Sequence, residues 1–348
     1  MSTFRLPFSA PSLLAPMEGV TEPCFRDLVL ARNGPDRLGG AFTEFVRVVR
    51  LPVPRRTLRE HLGARRFVAP VGIQLMGSDL AALAETARRA EEVGAPLVDL
   101  NFGCPAKGAV AGCAGSALLR DPRAVEAVVA ACARALVGVP VTAKIRAGYD
   151  DDRSLEDLAR AAEAGGAAML TVHCRTRAEA YQDEVDWSRI ARAVLAVAIP
   201  VCGNGGIAVH GDLERMRAET GCALAMVGRA ALGDPWIFSG EEAGAADAAR
   251  FLLDYAERIL AQGIVTRKGA AGRVKQLLRH WTAGGLVDLD RETWMREGDP
   301  ERLLDRLQSM AGPRRDPRLN PEVPPRDPGE LPVPVSLIDP ELVAPIAG

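Results

Sequence analysis

No two of the seven cysteines stand in a Cys-x-x-Cys pair, the spacing that small zinc and dithiol redox sites use. Cys24, Cys104, Cys113, Cys132, Cys174, Cys202 and Cys222 are therefore expected as reduced thiols, with no structural metal. Residues 1–12 lack an apolar run of signal-peptide length, and nowhere does the chain approach the ~20 apolar residues that span a bilayer. A cytoplasmic protein without a membrane segment is expected. An excess of positive charge is missing too. The formal net charge of −2 excludes a protein that coats nucleic acid indiscriminately, because neutralising phosphates takes clustered Lys and Arg. A local basic face stays compatible with that balance. What the chain does have is core material: hydrophobic residues make up 48% and charged residues 25% of its 348 positions, so disorder cannot dominate. The length suits a barrel of ~250 residues plus a smaller unit.

Short β-rich apolar runs recur at residues 13–17, 41–44, 71–75, 97–101, 141–145, 169–173, 200–203 and 224–228. Amphipathic stretches separate them, such as 79–93, with Ser78 as a plausible N-cap and Gly94 as a plausible C-cap. Strands alternating with helices imply parallel pairing, and eight such units predict a (β/α)8 TIM barrel. The runs end in Glu18, Glu44, Gln74, Asn101, Lys144, His173, Asn204 and Arg229. A barrel gathers all of these ends at one mouth, so scattered polar residues become one site. From about Gly240 the text turns Ala-, Leu- and Arg-rich without strand runs, and from Gly312 it is rich in proline and charge. The expected organisation is a barrel over residues 1–240, an all-helical domain over 241–311 and a flexible tail over 312–348.

The loops after the seventh and eighth runs, Asn204-Gly205-Gly206 and Gly228-Arg229, form the pair that commonly binds phosphate in such barrels. Glycine lets the backbone approach closely and Arg229 can complete the charge, so a phosphate-bearing cofactor is expected. Lys144 should point into the mouth, either to stabilise negative charge on a reduced flavin or to form a Schiff base with a carbonyl substrate. Gln74 and His173 suit the edge of a flat heterocycle. Cys104, between Gly103 and Pro105, is held at a loop apex where a thiol can donate a proton or attack. Two basic clusters, Arg47 to Arg66 and Arg267 to Arg279, are solvated faces or grips for the phosphates of a folded RNA.

These residues resemble the tRNA-dihydrouridine synthase family. The similarity lies in Leu14-Ala15-Pro16-Met17-Glu18-Gly19-Val20-Thr21 with Phe25-Arg26, Gln74-Leu75-Met76-Gly77, Asp99-Leu100-Asn101-Phe102-Gly103-Cys104-Pro105 with Lys107, Lys144-Ile145-Arg146-Ala147-Gly148, His173-Cys174-Arg175-Thr176, Asn204-Gly205 and Gly228-Arg229-Ala230-Ala231-Leu232-Gly233. Thr43-Glu44-Phe45-Val46-Arg47 and Val274-Lys275-Gln276-Leu277-Leu278 look most like the C subfamily, which modifies uridine-16 of the tRNA D-loop. The resemblance implies FMN and NADPH, hydride passing from flavin N5 to uracil C6, and Cys104 as the acid that protonates C5. It places FMN contacts on Pro16, Met17, Glu18, Gln74, Lys144, His173, Asn204, Gly205, Gly206, Gly228 and Arg229. Asn101 falls beside the target uracil, and Arg47, Tyr181, Arg273 and Lys275 are candidate tRNA contacts. The expected partners are tRNA and NADPH, acting on a monomer. Gly206 departs from the family's usual acidic residue, and residues 108–114 and the tail also differ. The alternative readings are a small-molecule reductase of the dihydroorotate dehydrogenase type and a noncatalytic RNA-binding factor that keeps the barrel.

Overall fold

The computed structural model describes residues 5–64, 67–106, 108, 113–179, 185–263, 265–288 and 290–312. Among these, nine parallel strands form β1 (Ser12–Leu14), β2 (Gly40–Phe42), β3 (Val46–Arg47), β4 (Val71–Met76), β5 (Val98–Asn101), β6 (Val141–Arg146), β7 (Leu170–His173), β8 (Val201–Asn204) and β9 (Leu224–Val227). β1 pairs with both β2 and β9, and β2 pairs with β4, so the sheet closes on itself. The chain is a TIM barrel.

Two strands end earlier than their apolar runs suggest. β1 stops at Leu14 because Pro16 has no N–H for the ladder. The second barrel strand is broken into β2 and β3. Phe42 pairs with Gly72 but Val46 pairs with Leu75, which leaves one extra residue on that strand, as in a bulge. The Thr43 hydroxyl patches the gap by accepting the Gln74 N–H at 3.1 Å.

Helices α1 (Pro23–Arg32), α2 (Arg55–Leu62), α3 (Leu80–Glu92), α4 (Pro122–Ala135), α5 (Leu155–Ala164), α6 (Ser188–Ala196), α7 (Gly211–Thr220) and the single turn α8 (Ala230–Gly233) follow the strands. At the start of α3 it is Asp79, not Ser78, that accepts the free N–H of Ala82, at 2.9 Å. Strand side chains alternate. Val71, Ile73, Leu75, Val98, Leu100, Val141, Ala143, Ile145, Leu170 and Val172 face outward into the core shared with the helices. Leu13, Phe42, Leu97, Met169, Cys202, Leu224 and Met226 face inward and, with Phe8, make a separate apolar floor. Above this floor the same parity brings Gln74, Asp99, Thr142, Lys144, Thr171, His173 and Asn204 inside.

Helices α9 (Ala245–Ala261), α10 (Arg267–Leu278), α11 (Arg291–Arg296) and α12 (Pro300–Met310) complete the described chain. Phe251 and Tyr255 of α9 meet Phe25 of α1 with ring centroids 6.0 Å apart, and Trp236 and Trp281 close on Phe251 at 5.7 and 5.8 Å. An Arg32–Asp254 ion pair at 2.9 Å flanks this cluster. No helix among the described residues is long and apolar enough to cross a membrane.

Because Phe251 is fully buried between barrel and helices, Phe251→Ala should cost ~3–5 kcal/mol in denaturant unfolding. A loss below about 1 kcal/mol would show that the helices do not dock through this cluster.

Candidate active site

The register sets the levels of the mouth. Asn101 lies opposite Lys144 and His173 opposite Asn204. The Lys144 ammonium donates to Asn204 Oδ1 at 3.0 Å, and Asn204 Nδ2 donates to the Met226 carbonyl at 2.8 Å, so the amide has one orientation. Among the described residues no carboxylate forms an ion pair with Lys144. Burial, reinforced by the neighbouring Arg146 charge, pushes its pKa down to about 8. His173 is held neutral by burial and by the charges of Lys144, Arg146 and Arg175. Its Nδ1 accepts the Arg175 N–H at 3.2 Å, which leaves the ring proton on Nε2.

Beside that imidazole runs the backbone of Gly205 and Gly206, with φ of +102° and +78°. A Cβ on Gly205 would meet Cys174 Sγ at 2.8 Å, and one on Gly206 would meet Val185 at 2.8 Å. A side chain at position 206 would have to displace Val185 and hold a positive φ. The Trp187 indole N–H holds the Gly205 carbonyl at 2.9 Å. Gly228 faces more open space, with Ala15 and the Met17 sulfur 3.8 Å from a built Cβ, and Arg229 is exposed beside it.

Cys104 forms the opposite wall. Asn101 Oδ1 accepts the N–H groups of Gly103 and Cys104 at 2.9 Å each, and the buried Arg146 guanidinium ties down the Gly103 carbonyl at 2.8 Å and the Thr176 carbonyl at 3.1 Å. Ser116 N–H donates to the Cys104 carbonyl at 3.1 Å. The half-buried thiol packs with Met76, Phe45 and Ala114. Burial foremost, with Glu18 adding, pushes its pKa up, so it stays protonated at neutral pH. Cys24, Cys132, Cys174, Cys202 and Cys222 are buried and Cys113 is exposed.

The loop carrying Pro16, Met17 and Glu18 is a closed turn. Thr21 Oγ1 accepts the Met17 N–H at 2.8 Å, and the Val20 and Thr21 N–H groups return to the Met17 carbonyl. Arg273 and Gln276 of α10 both donate to the Gly19 carbonyl of this turn. Lys275 points elsewhere, to the carbonyls of Met295 and Glu297. Arg47 is exposed and donates to the Gly108 carbonyl beside the Cys104 loop at 3.0 Å. Tyr181 lies outside the described residues, as does Lys107.

The motif reading left Asp99, Thr142, Arg146 and Arg175 without roles. The signal was available in the alternation, since Asp99 and Thr142 share the inward parity of Gln74 and Lys144. A stack at the rim was not legible: the Arg120 and Arg177 guanidiniums lie 3.9 and 5.0 Å from the centre of the Tyr149 ring.

A parallel barrel whose mouth joins a lysine with no carboxylate ion pair among the described residues, glycine-lined backbone and a half-buried thiol has the frame of an α/β-barrel enzyme. Residues 13–280 match the model for "Dihydrouridine synthase (Dus)", and the chain belongs to this family of flavin-dependent oxidoreductases. It is 35% identical over 315 residues to the "tRNA-dihydrouridine(16) synthase" of Ralstonia nicotianae, covering 86% of this chain and 92% of that one. It is 41% identical to "tRNA-dihydrouridine synthase B" of Pseudomonas aeruginosa, covering 68% and 71%. Its fold is also that of histamine dehydrogenase from Rhizobium sp. 4-9, with a TM-score of 0.52 at 12% identity, covering 71% of this chain and 48% of that structure's, about half its length.

A lysine whose folded pKa is lowered binds fewer protons than the unfolded chain between about pH 8 and its ordinary value of 10.5. It destabilises the fold fully below that window and progressively less as pH rises through it. Flavin-stripped Lys144→Met should therefore be more stable than wild type at pH 7, by up to roughly 3 kcal/mol. The difference should shrink toward pH 10.5, while flavin retention by the variant falls. A difference that does not change with pH would refute the buried charge.

Proposed function

We propose that the chain reduces the C5=C6 bond of uridine in the tRNA D-loop to dihydrouridine, at uridine-16, using FMN and NADPH. The relatives named for position 16 support the substrate, and the mouth supports the flavin. Gly205, Gly206, Gly228 and Arg229 form a cradle for its phosphate, with Pro16, Met17 and Glu18 alongside. Lys144, His173 and Asn204 address the ring, while Gln74, expected from its motif to do so, is fully buried beneath them with its amide held by Asp99 and Asn101. A cation with no carboxylate ion pair among the described residues and a neutral Nε2–H are suited to a ring that gains negative charge on reduction. When bound and reduced by NADPH, FMN supplies the hydride for uracil C6.

The protein's own contribution is the proton. Adding hydride to C6 leaves negative charge at C5, and Cys104, protonated and fixed at the loop apex, is placed to quench it. That thiol is the observation that carries this reading. Its raised pKa suits a donor rather than a nucleophile. Asn101 lies next to it on the side where the base arrives. The helical part, residues 241–311, seats the tRNA, and Arg47 meets its backbone at the rim. Arg273 and Lys275 contribute through the segments they hold, the Gly19 turn and the chain at Glu297. A D-loop nucleotide leaves its stack at lower cost than one in a duplex.

Mass-spectrometric mapping of unmodified tRNA after incubation with the protein, FMN and NADPH should show dihydrouridine at position 16 alone. The same base elsewhere would keep the chemistry and discard the position. Its absence, with NADPH still bleaching the bound flavin, would favour a small-molecule reductase. Cys104→Ala should retain flavin yet form product ~10²–10⁴-fold more slowly, and full activity would sink the acid assignment.

A further inference from the structure

Below the mouth, Gln74, Asp99 and Thr142 are inward-facing neighbours in register on β4, β5 and β6, and all three are buried. The Asp99 carboxylate accepts from Thr142 Oγ1 at 2.6 Å and from Gln74 Nε2 at 2.7 Å. At the other end of its amide, Gln74 Oε1 accepts from Asn101 Nδ2 at 2.8 Å, and Asn101 Oδ1 accepts the N–H groups of Gly103 and Cys104. The loop end of this chain cannot be inverted, because a backbone N–H only donates, and at the far end both Asp99 oxygens accept. The two amides between them therefore have one permitted orientation each.

We infer that Asp99 is a positioning residue for the Cys104 thiol: its carboxylate orients the Gln74 amide, Gln74 orients Asn101, and Asn101 seats the loop that carries the acid. An amide can turn over with almost no change of shape, so packing alone does not choose its orientation. A reversed Gln74 would face Asn101 donor to donor. A reversed Asn101 would then release two backbone N–H groups at once, in a partly buried loop where each unmade hydrogen bond is costly. This inference rests on the general-acid reading of Cys104 only for its effect on product, since the seating of the thiol is observable by itself.

The relay can be run backwards, and that provides the test. In Asn101→Asp an oxygen would face Gln74 Oε1, acceptor against acceptor, and the chain breaks. Adding Asp99→Asn supplies a donor at the far end. Thr142 would then donate to the new Asn oxygen, its amide to Gln74 Oε1, and Gln74 Nε2 to the new Asp, with both loop N–H groups still held. In the flavin-bound full-length protein, Asn101→Asp should change the rate of Cys104 alkylation by iodoacetamide and lower dihydrouridine formation ~10-fold or more. The double variant should return the alkylation rate to within about threefold of wild type and recover part of the lost activity, the new carboxylate lying opposite Lys144. Asp99→Asn alone should be mild, because the Thr142 hydroxyl can reverse to accept. A double variant no better than Asn101→Asp in alkylation would overturn the inference, as would an unchanged alkylation rate in Asn101→Asp. Restored alkylation without restored product would uphold the relay and count against the acid role of Cys104.

Discussion

The interior of this barrel holds a lysine ammonium that no carboxylate among the described residues pairs with, and much of the mouth follows from that placement. A cation in low dielectric is unfavourable unless something compensates it. Here the direct partner is a neutral amide oxygen, that of Asn204. The imidazole and thiols nearby take their neutral forms: His173 is driven below its ordinary range, and the thiols of Cys104, Cys174 and Cys202 above theirs. The net result is a preorganised positive potential facing the mouth. Such a site stabilises negative charge that arrives with a ligand or develops during reaction, without reorganising at that moment.

The helices beyond the barrel also reach this site. The Met17–Thr21 turn is closed by its own hydrogen bonds, so it moves as a body, and its outward carbonyl at Gly19 is held by Arg273 and Gln276. Next to it, Glu22 caps α1, and burial pushes its carboxyl up while the Tyr255 hydroxyl of α9 bonds to it. The other side of the same turn, at Met17, lies against Gly228. Arg273 was legible in the sequence as part of a basic run. Its structural task is to join two units, and that depends on a carbonyl 254 positions away.

What could be read from the text, and what could not, divides along physical lines. Outward strand positions are mostly aliphatic, so the barrel was visible as apolar runs, and Lys144, His173 and Asn204 stood out as polar interruptions near their ends. The strand limits were less visible. β1 is cut short by Pro16, and the second strand breaks at an extra residue that Thr43 conceals by substituting a hydroxyl for a backbone acceptor. Ser78 and Asp79 are both good caps, and only the backbone geometry selects the latter. Asp99 sat inside the motif that carries Cys104, where attention falls on the thiol. Gly206 looked like a missing acid, whereas its positive φ and the closeness of Val185 give a glycine there a backbone reason of its own.

Asp99 and Lys144 together show why the relay matters beyond the orientation of amides. Each feels the other's charge. A direct ion pair between them would be the obvious way to relieve two buried charges. It would also occupy the ammonium and cancel the potential at the mouth. Both Asp99 oxygens are instead taken by neutral donors, Gln74 and Thr142, which satisfy the carboxylate where it stands, one level below the cation. The same two hydrogen bonds that set the amide polarity thus hold the carboxylate in place and leave the Lys144 ammonium to its bond with Asn204.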